Sequence, residues 1–241
     1  MDIKLLAHTQ ASKEFALSLP IYHGNPDYTD GQAVALTAIR TCYSANKSSE
    51  IVKLEGYKYF GRKATDGKKG NEANRLIRQI VGSGHTSTLE HLTYTFAVEG
   101  VSRALLAQLT RHRVGFSFSV QSQRYVRMGS TDKIGGFDYV VPKTIKDNDE
   151  KEELFESVMS QIQLYYDTFR KLGVPAEDAR SILPNAACTN LVLTVNLRSL
   201  LDFYSKRRKG KGAQHEITEL AERLREEVVK VEPWTDEFFK N

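Results

Sequence analysis

Apolar residues recur along this chain with two periods, one of about 3.6 residues and one of two, and the switches between them mark its elements. After Asn71, a natural helix cap, Leu76, Ile77, Ile80 and Val81 share one helical face, and Gly82 with Gly84 predicts its end. Leu92, Tyr94, Phe96 and Val98 then alternate with Thr93, Thr95, Ala97 and Glu99, the pattern of a half-buried strand. Ser102 opens a further helix with Val101, Leu105 and Leu109 along one stripe and Arg111, His112 and Arg113 in its last turn. The longest amphipathic stretch, about Asp149 to Leu172, sets Leu154, Phe155, Val158, Ile162, Tyr165, Phe169 and Leu172 at helical spacing before Gly173 and Pro175 stop it.

The remaining elements are shorter. Thr29 or Asp30 caps a helix through Ala33, Val34, Ala38 and Cys42 to about Ser44. A short helix is predicted from Ala176 to Leu183, a buried strand from Leu191 to Val195, and two closing helices over 197–208 and 213–231. Tyr125-Val126 and Tyr139-Val140-Val141 predict two more strands. Residues 45–70 turn polar, with Lys47, Lys53, Lys58, Lys63, Lys68 and Lys69 among glycines, and read as a surface excursion. Gly61…Gly67-Lys68-Lys69 within it misses the spacing and the hydroxyl residue of a phosphate-binding loop. Strands and helices without regular βαβ alternation imply a single α+β domain over residues 1–241, with a central, mostly antiparallel sheet flanked by helices.

Composition narrows the partners. With 40% hydrophobic and 27% charged residues and a net charge of only +4, any anion binding must come from local clusters. Cys42 and Cys188 match no metal or redox spacing and read as reduced core thiols. The first residues lack the apolar region of a signal peptide, and no apolar run approaches the roughly 20 residues of a membrane span. The expectation is a cytoplasmic protein with no membrane partner.

Local clusters do exist. Arg111-His112-Arg113 is followed after eight residues by Ser122-Gln123-Arg124-Tyr125. Cations at a helix C-terminus have a structural explanation in the macrodipole, worth roughly 0.3–1 kcal/mol each. That explanation leaves out Gln108, one turn before Arg111, and the hydroxyl, amide and guanidinium of the second motif. Together they suit an anionic ligand rich in hydrogen-bonding groups, such as a nucleotide. A second cluster, His85-Thr86-Ser87-Thr88-Leu89-Glu90-His91, reads either as a capped loop or as a polar wall with an ionisable imidazole; its spacing is not that of a zinc protease, and no metal is predicted. A third set comprises Arg180, Asn196-Leu197-Arg198-Ser199 and the run Lys206 to Lys211. The run reads as a solvated helix end, because its neighbours Phe203 and Tyr204 pack inward instead of offering bases a stacking platform; no nucleic-acid partner is expected.

Read in order, Gly84-His85-x-Ser87-x-x-Glu90-His91, Arg111-His112-Arg113, Ser122-Gln123-Arg124-Tyr125, Leu183-Pro184-Asn185 and Thr194-Val195-Asn196-Leu197-Arg198-Ser199-Leu200 resemble the flavin-dependent thymidylate synthases over roughly residues 30 to 235. The resemblance implies a homotetramer with active sites shared between subunits. It implies methylation of dUMP to dTMP, with methylenetetrahydrofolate as carbon donor and FAD, reduced by NADPH, as hydride carrier. By position, Ser87, Glu90, Arg111, His112, Arg113, Asn196, Leu197, Arg198 and Asp202 would line the flavin site. Gln108, Arg111, Ser122, Gln123, Arg124, Arg180 and Arg207 would hold dUMP. Arg207 matches the arginine that stabilises the ionised uracil, and His85 would lie near flavin and folate; these two are the catalytic candidates. Ser122 is assigned to binding, since no obvious base adjoins it to make a nucleophile. The chain departs from the family's usual pattern in the spacer after Arg113, in Asp202, and in Ala213-Gln214-His215-Glu216-Ile217, where tryptophan is usual at the third position.

Overall fold

A computed structural model describes residues 1–19 and 28–240 and organises them on an antiparallel sheet of four strands. The strands are β1 (Asp2–His8), β2 (Thr93–Ser102), β3 (Phe116–Val120) and β4 (Cys188–Asn196), in the spatial order β1-β2-β4-β3. The helices are α1 (Lys13–Ser18), α2 (Asp30–Thr41), α3 (Ile51–Glu55), α4 (Glu72–Gly82), α5 (Arg103–Leu109), α6 (Lys143–Lys146), α7 (Asp149–Lys171), α8 (Ala176–Ala179), α9 (Leu197–Arg207) and α10 (His215–Val231). Short 3-10 helices at Thr86–His91 and Pro233–Phe239 complete the layer over the sheet.

Alternation decides which face of the sheet is covered. Tyr94, Phe96 and Val98 of β2 and Leu191, Leu193 and Val195 of β4 all point into one core, where β2 pairs with β4 in the register Phe96↔Leu193. Leu36 and Ile39 of α2, Ile77 of α4, Leu200 and Phe203 of α9, and Leu220 and Leu224 of α10 close over them. Each such side chain, fully buried, contributes about 1.5–3 kcal/mol. A second, smaller cluster gathers Met128, Phe137, Met159, Tyr166, Ala179 and Ala187 beneath α7.

Several expectations change in detail. The helix predicted to carry Arg111–Arg113 ends at Leu109: the Thr110 hydroxyl takes the Leu106 carbonyl at 2.9 Å, and the triplet stands in the loop beyond. Tyr125-Val126 is a turn and not a strand, both backbone N–H groups donating to the Ser122 carbonyl at 3.3 and 2.9 Å. Tyr139 makes only an isolated bridge to Ala187. Within 45–70 the named lysines are exposed, but Ile51, Val52 and Phe60 are buried, so α3 anchors the excursion. Cys42 is exposed and Cys188 half-buried, so neither is a fully buried core thiol; burial pushes the Cys188 pKa up to about 11. No described helix is long and apolar enough to cross a membrane.

Candidate functional site

The cationic loop lies along α9. At one end Gly115, with φ of 70°, takes a left-handed conformation, and a Cβ there would collide with Ser199 Oγ and Asn196 Nδ2. Its carbonyl accepts the Asn196 N–H at 3.2 Å. At the other end His112 packs edge-on against Phe203, centroids 4.9 Å apart, and its Nε2 accepts from Arg207 Nε at 3.2 Å. Accepting at Nε2 leaves the imidazole neutral with its proton on Nδ1. Burial first, and then the Arg207 charge, hold its pKa below the ordinary histidine value. Arg111 and Arg113 on either side are exposed. Two motifs far apart in sequence therefore share one surface, while Phe203 and Tyr204 pack inward as expected.

A second group forms at the first turn of α9. Asn196 caps the helix, its Oδ1 accepting the Ser199 N–H at 2.9 Å, and the buried Leu197 donates its N–H to the Leu92 carbonyl at 2.8 Å. Leu197, a predicted flavin-site residue, is fully buried in the protomer. Arg198 pairs with Glu90 from the Thr86–His91 turn, and Asp202 pairs with Lys206 at 2.7 Å. Ser87 is exposed beside them in sequence. His85 Nδ1 meets the hydroxyl of Tyr43 at 3.1 Å, a partner that sequence reasoning missed.

The third group is built on the turn after β3 and on α8. Ser122 Oγ accepts the Arg124 N–H at 3.2 Å, and Arg124 stacks over Tyr125 and pairs with Glu177 at 3.1 Å. Arg180 donates to the Glu177 carbonyl at 3.0 Å. Gln123 is 7% exposed, and its Nε2 has no partner among the described residues. Arg103 also belongs here: burial, then the Arg180 charge, lower its pKa. Nothing in the local pattern marks Arg103, since its relation to Arg180 is purely tertiary.

Gln108, the last candidate, sits on α5 against the first turn of α10 and bonds to Gln214. A cavity of about 600 Å³ opens nearby, lined by Ser102, Ala104, Lys143, Asn185, Gln214 and Glu216 among others, and none of the predicted ligand-binding residues faces it. Apart from the buried Gln123 and Leu197, those residues are half-buried or exposed, with Arg111, Arg113, Arg124 and Arg198 the exposed cations. Arginine guanidiniums with half-buried Asn196 and exposed Ser87 are a donor set matched to a phosphate-bearing ligand.

The family model described as "Thymidylate synthase complementing protein" matches residues 26–234. A "Flavin-dependent thymidylate synthase" of Geobacter sulfurreducens is 37% identical over 207 residues, 85% of this chain and 80% of that protein. One of Clostridium tetani is 33% identical over 224 residues, covering 86% of this chain and 82% of its own length. One of Pyrococcus furiosus is 41% identical over 161 residues, 66% of this chain and 64% of that protein. Among solved structures, a "UMP/dUMP methylase PolB" of Streptomyces cacaoi bound with 5-Br dUMP superposes with a TM-score of 0.71 over 99% of this chain and 94% of that one. At 20% identity that likeness speaks for the fold.

Proposed function

The chain belongs to the flavin-dependent thymidylate synthases, an enzyme family, and from that premise we propose that it makes dTMP from dUMP, with methylenetetrahydrofolate as carbon donor and NADPH as reductant. The observation that carries this reading is the cationic loop locked along α9, which unites Arg111–Arg113 with Asn196, Arg198 and Arg207. FAD, when bound there, supplies the hydride chemistry that no protein side chain offers. Arg111 and Arg113 attract its phosphates, while Ser87, Glu90, Asn196, Arg198 and Asp202 form the polar rim and His85, held by Tyr43, stands at its edge.

Arg207 is assigned to the uracil. Its Nε is committed to neutral His112, so its terminal nitrogens remain for the ligand, where a permanent charge favours the ring anion. Ser122, Gln123, Arg124 and Arg180 take the nucleotide with Gln108 and Arg111. The Arg124–Glu177 pair is half-exposed on both sides. Such a pair contributes about 0–1 kcal/mol and yields readily to an incoming phosphate.

The open site accords with a homotetramer that completes it across subunits, and so does the apolar outer face of α7. The first test is spectroscopic. Purified protein loaded with FAD should keep its flavin bands, bleach with NADPH and recover on adding dUMP and methylenetetrahydrofolate. Arg207→Ala should keep the bands and lose nearly all dTMP formation. A colourless protein, or a fully active Arg207→Ala variant, contradicts the reading. Product analysis with dUMP against UMP separates deoxyribonucleotide from ribonucleotide methylation.

A further inference from the structure

The motif Ala213–Ile217 lies against both ends of α5. Glu216 grips the helix start: its Oε1 accepts the Ser102 N–H at 2.7 Å and its Oε2 the Ser102 hydroxyl, while Ser102 Oγ caps the Leu105 N–H at 2.9 Å. Further along α5, Gln108 Nε2 donates to the Ala104 carbonyl at 3.4 Å and to Gln214 Oε1. A backbone carbonyl can only accept, so the Gln108 atom that faces Ala104 is its nitrogen, and the amide has one orientation. Both hydrogens of that nitrogen are then engaged. What remains to meet a ligand is the Gln108 carbonyl oxygen, an acceptor and nothing else.

We propose that Gln214 is a positioning residue for substrate recognition: by holding the Gln108 amide nitrogen it turns the Gln108 carbonyl outward, to accept from a donor on the nucleotide. The inference rests on the nucleotide-binding reading above and sharpens it. An outward carbonyl repels a phosphate dianion, so Gln108 reads the base or the sugar. Arg207 is assigned to hold the uracil ring as its anion, which leaves the ring no N3–H to give, so the donor of dUMP that fits is the 3′-hydroxyl. With Gln214 removed, the amide can turn its nitrogen outward and the preference for a donor disappears.

The experiment is calorimetric titration of FAD-loaded wild type, Gln214→Leu and Gln214→Glu with dUMP, 2′,3′-dideoxyUMP and dCMP. Losing one oriented hydrogen bond predicts dUMP binding about five- to tenfold weaker in Gln214→Leu. Its flavin retention, melting temperature and kcat at saturating dUMP should hold, so the change falls in KM. Gln214→Glu keeps an acceptor for Gln108 and should recover most of the affinity. With the 3′-hydroxyl as donor, the Leu penalty vanishes with 2′,3′-dideoxyUMP and persists with dCMP. A Gln214→Leu enzyme that binds dUMP as tightly as wild type overturns the proposal, as does an equal penalty for all three nucleotides. Wild type that binds no dUMP at all overturns the nucleotide reading itself.

Discussion

Phe96, at the centre of β2, is fully buried, whereas Leu154 and Tyr165 on α7 and Leu172 at its C-terminal cap are 68%, 54% and 75% exposed. Both segments carry sustained apolar periodicity, yet only one is covered by its own chain. Over the inner face of β2 and β4 the helices α2, α4, α9 and α10 close the core. Beneath α7 a cluster of six buried side chains takes Phe155, Met159, Ile162 and Tyr166 and leaves the neighbouring stripe of Leu154, Val158, Tyr165, Phe169 and Leu172 in solvent. Monomers rarely leave so long an apolar patch uncovered. The sheet half is covered by its own chain, and the α7 half is where the proposed assembly would bury its stripe.

Replacing the centre of the sheet core should produce the largest effect. Phe96→Ala removes a fully buried ring from the sheet core, and should cost about 3–5 kcal/mol of protomer stability in urea titrations. A loss under about 1 kcal/mol would mean that the sheet core is looser than its burial implies and would erase the contrast with α7.

How much of this was legible in the sequence follows the same division. β2 was readable because one face is buried along most of its length, which enforces strict alternation. The edge strands β1 and β3 were not read: each has partner strands on one side only, and their faces are half-buried at best, so their apolar signal is weak. For α7 the periodicity gave the helix and said nothing about which part of the stripe the chain itself would cover. Site residue types were legible through their motifs, but their contacts were not. Arg207 and His112 stand 95 residues apart, Gln214 and Gln108 106, and Arg198 and Glu90 108. No local pattern encodes such pairs; sheet register and helix packing bring them together. The motif Ala213–Ile217 was visible as a string, and only the fold shows that its glutamine and glutamate hold α5.

A smaller effect separates the two regions through a pair of buried tyrosines. Tyr166, on the buried face of α7, accepts the Met128 N–H at 3.2 Å, and Tyr166→Phe strands that buried donor. The expected cost is about 1–3 kcal/mol. Tyr94, in the sheet core, has a buried hydroxyl with no partner among the described residues, and burial holds its pKa well above the usual tyrosine value. Tyr94→Phe discards an unpaired polar atom and should leave stability within about 0.5 kcal/mol of wild type, or raise it. Equal losses at the two sites would show that the hydroxyls are not what distinguishes them.

On the outer face of α7 the protomer should register the least and the assembly the most. Leu154→Glu with Phe169→Glu places charges at positions 68% and 40% exposed, on a helix that accepts glutamate well. Each change should alter protomer stability by less than about 0.5 kcal/mol, since no buried contact of the second cluster is removed. If the stripe is covered by a second copy, the same charges are driven into an apolar interface, where an unpaired carboxylate is strongly disfavoured. Sedimentation should then show smaller species than wild type, and the wild type's dependence of melting temperature on protein concentration should flatten. An unchanged mass would move the contact elsewhere on the surface. A large fall in protomer stability with the mass unchanged would instead mean that α7 is already covered by its own chain, and the contrast drawn from its exposure would fail.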